Sequence, residues 1–531
     1  MKRLTKSLIV ITLLIVSFLF NSCYKDRFSL DELADSQYNP ELAAPLIRTT
    51  LTMSDVTEQS SEEWKEYPDG LLSLIYRQTA STDLALEIIN IPDQTADTSF
   101  QVYLPPTMIP GDSTSKLFNF DASVTSQNGE RLDTVFFKDG FVDFEVTSNL
   151  NHNAKIQIII PELTIYGVTF LQTVDIPSAG GATHTVTFSF PIKLYTAIFD
   201  HPTPNQNIIK EYIRIYVNHG VAANNSPYDL TIKQRLRDVS VYYASGYFGQ
   251  QNFDIAKEVI GISLFDNRTV EEIFMEDPRL KLKFYNSFGF PVGVTMDEFY
   301  VEKDGSMLNV TSTNLPSFNI VGASKPNQFD TTVLIFDKTN SNIIDLFNFQ
   351  PKKVGFREKL VSNPTGAVVQ NFVLDTSRVY VEAEVELPLY GRALNFTLSD
   401  TTKFSLDEVE GVISAELRFN ILNSFPAEAN FQIYLADSNG LVLDSLLSGQ
   451  EQVLTAASVG PPPDYRTTIP VNKTTVVVLG QGKLANLWKT EKIIYKAMFS
   501  TADQGLKVVK IYSDYYLDIK MAAKLNYQTN I

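Results

Sequence analysis

Cysteine is all but absent: among 531 residues it occurs once, at Cys23. Residues 24–531 therefore hold no disulfide framework, no thiolate zinc site and no cysteine nucleophile. Histidine is nearly as scarce. His152, His184, His201 and His219 have neither the i, i+4 helical spacing nor the alternate-residue strand spacing that aims two imidazoles at one metal, so no metal site is expected. G-x-S-x-G, Walker, G-x-G-x-x-G and H-E-x-x-H patterns are missing too, which leaves acyl transfer, nucleotide binding and zinc proteolysis without support. Neither an enzyme nor a cofactor is expected. Basic residues number 44 against 61 acidic, and the net charge of −17 is broken by no Lys/Arg cluster. Such a balance repels phosphate backbones and excludes nucleic acid as a partner.

What is present begins at the N-terminus. Lys2, Arg3 and Lys6 precede an apolar run over residues 8–20, about two-thirds of the roughly 20 residues a spanning helix needs. That is an export signal rather than a permanent span. Ser22 directly before Cys23 resembles the processing site of bacterial lipoproteins, although Phe20 departs from the usual Leu/Val/Ile. The resemblance implies a signal peptide over 1–23, diacylation of the Cys23 thiol and a tether over 24–44. Losing the three basic residues takes the net charge from −17 to −20. Short Asp-Ser and Asp-Thr motifs at Ser113, Thr134, Thr331, Thr401 and Ser445 match the acceptor pattern of Bacteroidota O-glycosylation. With the lipoprotein-like start, the chain resembles outer-membrane lipoproteins of that phylum. The resemblance implies a lipid anchor in the outer membrane, at the cell surface in preference to the periplasmic face.

Repeats organise the remainder. Pro45-Leu46 followed by Arg48 resembles Pro388-Leu389 followed by Arg392. Asn-Ser-Phe recurs between β-patterned runs at Asn286 and Asn423, with a weaker copy at Asn149, and both intervals are 137 residues. Runs beginning at Thr331 and Thr474 each lead through a short helix, around Leu346-Phe347 and Leu487-Trp488, into another strand. Within each unit the apolar period is two. Asn128-Gly129, Asp139-Gly140, Asp304-Gly305 and Asn439-Gly440 supply the positive-φ positions of tight turns. Helices are predicted only at 270–275, 342–347 and 483–489. The pattern predicts an all-β chain of three tandem antiparallel β-sandwich, Ig-like domains: 45–238 with an insertion over 57–120, then 239–387, then 388–531. The strand, Asn-loop, strand element is also similar to that of water-stress β-sandwiches, over about 20 residues.

Asp437 to Asp444 lacks the terminal bidentate Glu of a calcium loop and reads as a hairpin. Adjacent carboxylates, such as Glu62 and Glu63, read as solvated surface. One aromatic cluster, Tyr242, Tyr243, Tyr247 and Phe248, has the character of a sugar-stacking platform. The reading is a non-catalytic, lipid-anchored envelope protein that presents surfaces for adhesion, scaffolding or envelope assembly, with outer-membrane proteins or glycans as partners. A glycan-capturing lipoprotein is the alternative, and an enzyme with a site hidden from the sequence is another.

Overall fold

A computed structural model describes residues 37–38, 41–59, 63–82, 90–203, 206–254, 257–265, 272–367, 369–447 and 451–530. Cys23, the signal segment and most of the proposed tether lie outside the described residues. The described chain is almost entirely antiparallel β-sheet, packed in sandwich-like pairs.

Alternation dictates the layers. In Arg279–Asn286, Leu280, Leu282 and Phe284 are fully buried while Lys281 and Lys283 face outward. Each of those apolar side chains contributes about 1.5–3 kcal/mol by leaving water. Among the described residues two short helices follow strands in the way expected, Ile343–Asn348 and Gln481–Trp488, and a third, Met53–Gln59, follows Glu41–Thr52 where none was predicted. The helix predicted at 270–275 is instead, where described, the strand Glu272–Met275, paired with residues 391–394. Isolated helical spacing yields here to a neighbouring backbone edge. Asp139-Gly140 is likewise no turn, because it lies inside the strand Arg131–Ser148 at a bulge facing Ser240.

One four-strand order occurs three times. It runs His184–Pro191, Arg131–Ser148, Tyr228–Tyr247, Gln94–Val102, and again Asp330–Phe336, Arg279–Asn286, Val379–Pro388, Leu72–Thr82. The third set is Val471–Leu479, Val412–Asn423, Tyr516–Tyr527, Glu41–Thr52. The registers agree. Leu230 faces Ser148 and Phe100, Val379 faces Asn286 and Thr82, and Leu517 faces Asn423 and Leu51. A second β layer accompanies each set, centred on the paired strands Asn153–Ile165 with Asn207–Asn218, Val292–Lys303 with Lys353–Ser362, and Ala427–Ala436 with Lys492–Thr501. In the first case the two layers are one continuous sheet, joined through the short strand Thr196–Ile198. We call these layer pairs the first, second and third sandwich.

The Asn-Ser-Phe echo has a structural cause. Asn286 Nδ2 donates to Phe290 O and Val321 O, both at 3.0 Å, and its Oδ1 accepts from Phe288 N. Asn423 repeats this with Phe425 O, Ala427 O and Thr455 O, and accepts from Phe425 N. The following serines accept from Arg378 N and Tyr516 N through Oγ. In the first sandwich Asn149 does the serine's work, accepting from Asp229 N, and Ser148 stands where the buried Asn stands elsewhere. The first copy is thus shifted by one residue. Pro45 and Pro388 are not equivalents: the strand holding Pro45 joins Tyr516–Tyr527, whereas Phe396–Lys403, downstream of Pro388, joins the opposing sheet.

Strand pairing crosses the boundaries expected at 238/239 and 387/388. Glu41–Thr52 completes the third sandwich, Leu72–Thr82 the second, and only Gln94–Val102 the first. The stretch 57–120 is therefore no insertion, since it carries strands of two sandwiches. The first sandwich is nested in the second and the second in the third.

Candidate functional site

The aromatic cluster predicted around Tyr242 sits on the joint between the first and second sandwiches. A bulge between Val241 and Tyr243 breaks the strand's alternation, and Tyr242 and Tyr243 take different ring partners. Tyr242 is 47% exposed and meets Phe136 edge-on at 5.6 Å. Tyr243 stacks on Phe372 at 6.5 Å, and the Tyr247 hydroxyl lies 3.4 Å from Gly366 O. Phe248 is buried against Phe290, its amide donating to Asn371 Oδ1. The four rings do not share a surface, and Phe248 is core.

That joint is built twice. Residues 243–246 run between residues 132–136 and the strand Asn371–Leu374; Tyr390–Leu394 runs between Glu272–Met275 and Val509–Lys510. At the crossing a Cβ on Gly246 would lie 1.9 Å from Arg131 O, and one on Gly391 2.0 Å from Phe274 O. Only glycine allows the backbones so close.

At the opposite end of the first sandwich lies a pair that sequence spacing did not reveal. His152 and His219, 67 residues apart, stack at 4.3 Å with both rings buried. His152 Nδ1 accepts from Gly220 N at 3.1 Å, and its Nε2 and both His219 nitrogens have no hydrogen-bond partner among the described residues. Burial, and then the neighbouring His219, lowers the His152 pKa. Stacked rings direct their lone pairs side by side rather than at a common point, so the pair packs rather than chelates. His201 lies elsewhere, 2.9 Å from Asp133 Oδ1, and His184 is exposed. Among the described residues no group of three or more His, Cys, Asp or Glu is placed to hold a metal.

Among the described residues Glu211 and Glu358 are buried with no ion-pair partner. Both oxygens of Glu211 are unsatisfied, and the residue lines a cavity of about 50 Å³ with Gln234, Phe137, Ile160 and Leu163. Burial pushes its pKa up to about 8, the nearby Gln234 amide opposing this only weakly. Burial and then Glu258 push Glu358 up to about 7. A third group is fully partnered. Glu386, buried on the outer face of the second sandwich, accepts from Lys281, Lys65 and Tyr67. Burial alone would raise its pKa, but those donors outweigh it and bring it down to about 2. Glu384 extends the ladder to Arg77 and Lys281 at 2.8 and 3.0 Å. Together they clamp the distant strand Leu72–Thr82 and its hairpin partner Glu63–Glu66 onto the second sandwich.

Of the O-glycosylation positions, Ser113, Thr331 and Thr401 are exposed, whereas Thr134 and Ser445 are half-buried in strands. Thr134 faces Ile198 on one side and Ser245 on the other. Asp437 Oδ1 accepts from Asn439 N and Leu441 N, so this carboxylate closes a hairpin.

No family model and no curated protein matches the sequence. Among solved structures, a protein from Parabacteroides distasonis described as secreted is 13% identical with a TM-score of 0.29, over 54% of this chain and 89% of that one. The K1 cleaved adhesin domain of Lys-gingipain from Porphyromonas gingivalis is 16% identical with a TM-score of 0.14, over 28% and 74%. At such TM-scores neither likeness carries an argument.

Proposed function

We propose that the protein is a non-catalytic, lipid-anchored component of the bacterial outer envelope, held through Cys23, whose sandwiches present surfaces to other envelope or extracellular molecules. The observation that carries the reading is the twice-built joint. At each, the strand that leads out of one sandwich is paired on both sides, residues 243–246 between Arg131–Ser148 and Asn371–Leu374 and Tyr390–Leu394 between Glu272–Met275 and Val509–Lys510, locked by glycine at each crossing. Joints made by shared strands hold neighbouring units in fixed relation, unlike flexible linkers. A scaffold or adhesin needs that property, because it holds its contact surface at a set distance from its anchor. A sugar platform on Tyr242, Tyr243, Tyr247 and Phe248 is not proposed, since the joint uses these rings. Cys23→Ala tests the anchor: the variant is expected in the soluble fraction, and its retention in membranes as in wild type would refute the anchor.

A further inference from the structure

The nested pairing gives the molecule a direction. Both ends of the described chain meet at one place, with Gln37–Tyr38 paired to Thr529–Asn530 and Glu41 facing Asn526. From there the chain lays one strand on the third sandwich, one on the second and one on the first, then returns through them in the reverse order.

The ends of the sandwiches are not alike. The Asn-loop end of the second receives the first: Phe248 packs on Phe290 at 6.2 Å, and Gln250 Nε2 donates to Asn363 O at 3.1 Å. The same end of the third receives the second, with Asn395 N donating to Ser500 Oγ and Ala393 N to Thr501 Oγ1. Among the described residues, that end of the first sandwich receives no other sandwich. Where the other two connect their N-terminal strand to the second layer through whole sandwiches, this one uses the loop 103–112. Gly111 N donates to His219 O, His219 N to Asp112 O, and Asn224 Nδ2 to Leu104 O, closing the loop over the buried His152 and His219. The nesting stops here, in the manner of a terminal capping repeat. Tyr103, Ile109 and Val221 stand exposed on it, at 56%, 65% and 95%.

We infer that the membrane-distal surface of the protein is this closed end of the first sandwich, formed by loops 103–112, 149–152 and 219–227. The third sandwich, last in sequence, is the membrane-proximal one. This rests on attachment through the N-terminus, as the Cys23 reading requires. A strand of about ten residues at ~3.3 Å each advances about 33 Å, so three sandwiches joined by continuing strands separate the two ends by several tens of ångströms.

The test replaces Cys23 and its lipid by an N-terminal polyhistidine tag on the full mature chain, captured on vesicles of phosphatidylcholine containing a nickel-chelating lipid. With Cys23 gone, a single introduced cysteine takes the dye alone. Val221→Cys marks the closed end, and Leu441→Cys, 67% exposed in the hairpin turn at the far end of the third sandwich, marks the other. Energy transfer to an acceptor in the bilayer is expected to be several-fold stronger from position 441 than from position 221. Equal transfer, or stronger transfer from 221, overturns the inference. The anchor reading is judged separately by the fractionation of Cys23→Ala, so either result stands when the other fails.

Discussion

Glu211→Gln removes a buried charge while keeping the side chain's volume. The native carboxyl ordinarily titrates near 4.5 and is held protonated to about 8 by burial inside the first sandwich. In the unfolded chain it ionises near 4.5. Between those two pH values the folded state therefore binds a proton that the unfolded state has released, and stability falls as pH rises. At 1.36 kcal/mol per pH unit, the full separation is worth on the order of 5 kcal/mol, and the interval from pH 5 to pH 8 about 4 kcal/mol. Glu211 contributes this fully below pH 4.5 and loses it as pH passes 8. Pulse proteolysis in urea, following cleavage within residues 94–247, measures the stability of the first sandwich at pH 5 and pH 9. Wild type is expected to lose about 4 kcal/mol more than Glu211→Gln across that range. Parallel losses in the two proteins would show that the Glu211 carboxyl reaches water or a partner, and the reasoning from its burial would fail.

Deleting residues 41–52 is expected to expose Tyr516–Tyr527 to hydrogen exchange while leaving Tyr228–Tyr247 protected, and a synthetic peptide of residues 41–52 is expected to restore protection by strand addition. Unchanged exchange in 516–527 would contradict the nested pairing. Glu386→Gln leaves Lys65 and Lys281 facing a neutral amide and is expected to cost the second sandwich about 3–5 kcal/mol near pH 7, read by the same proteolysis over residues 279–388. Because the Glu386 pKa is depressed, wild type keeps its advantage above pH 4.5 and loses it as pH falls toward 2, so the two proteins converge in acid; a gap that persists there would refute the charge argument.

The candidate sites were legible only where the signal was local. Asn-Ser-Phe at 286 and 423 could be read because a buried amide closing its own loop needs its partners within a few residues on one side. At residue 149 the echo slipped by one, since asparagine and serine exchange roles there. His152 and His219 gave no signal, being brought together by loops 67 residues apart. Tyr242 to Phe248 gave a misleading one, because aromatic residues at a joint have the same composition as an exposed platform.

Alternation and turn chemistry determined from the sequence alone that the chain is β-rich, antiparallel and repetitive, because the side-chain period is two wherever one face of a strand is buried. Tertiary structure alone decided which sheet each N-terminal strand completes. Glu41–Thr52, Leu72–Thr82 and Gln94–Val102 pair with partners whose sequence positions lie far downstream, and main-chain hydrogen bonds carry no residue code that distinguishes one edge from another. The nesting follows from which edges remain open as the sandwiches assemble.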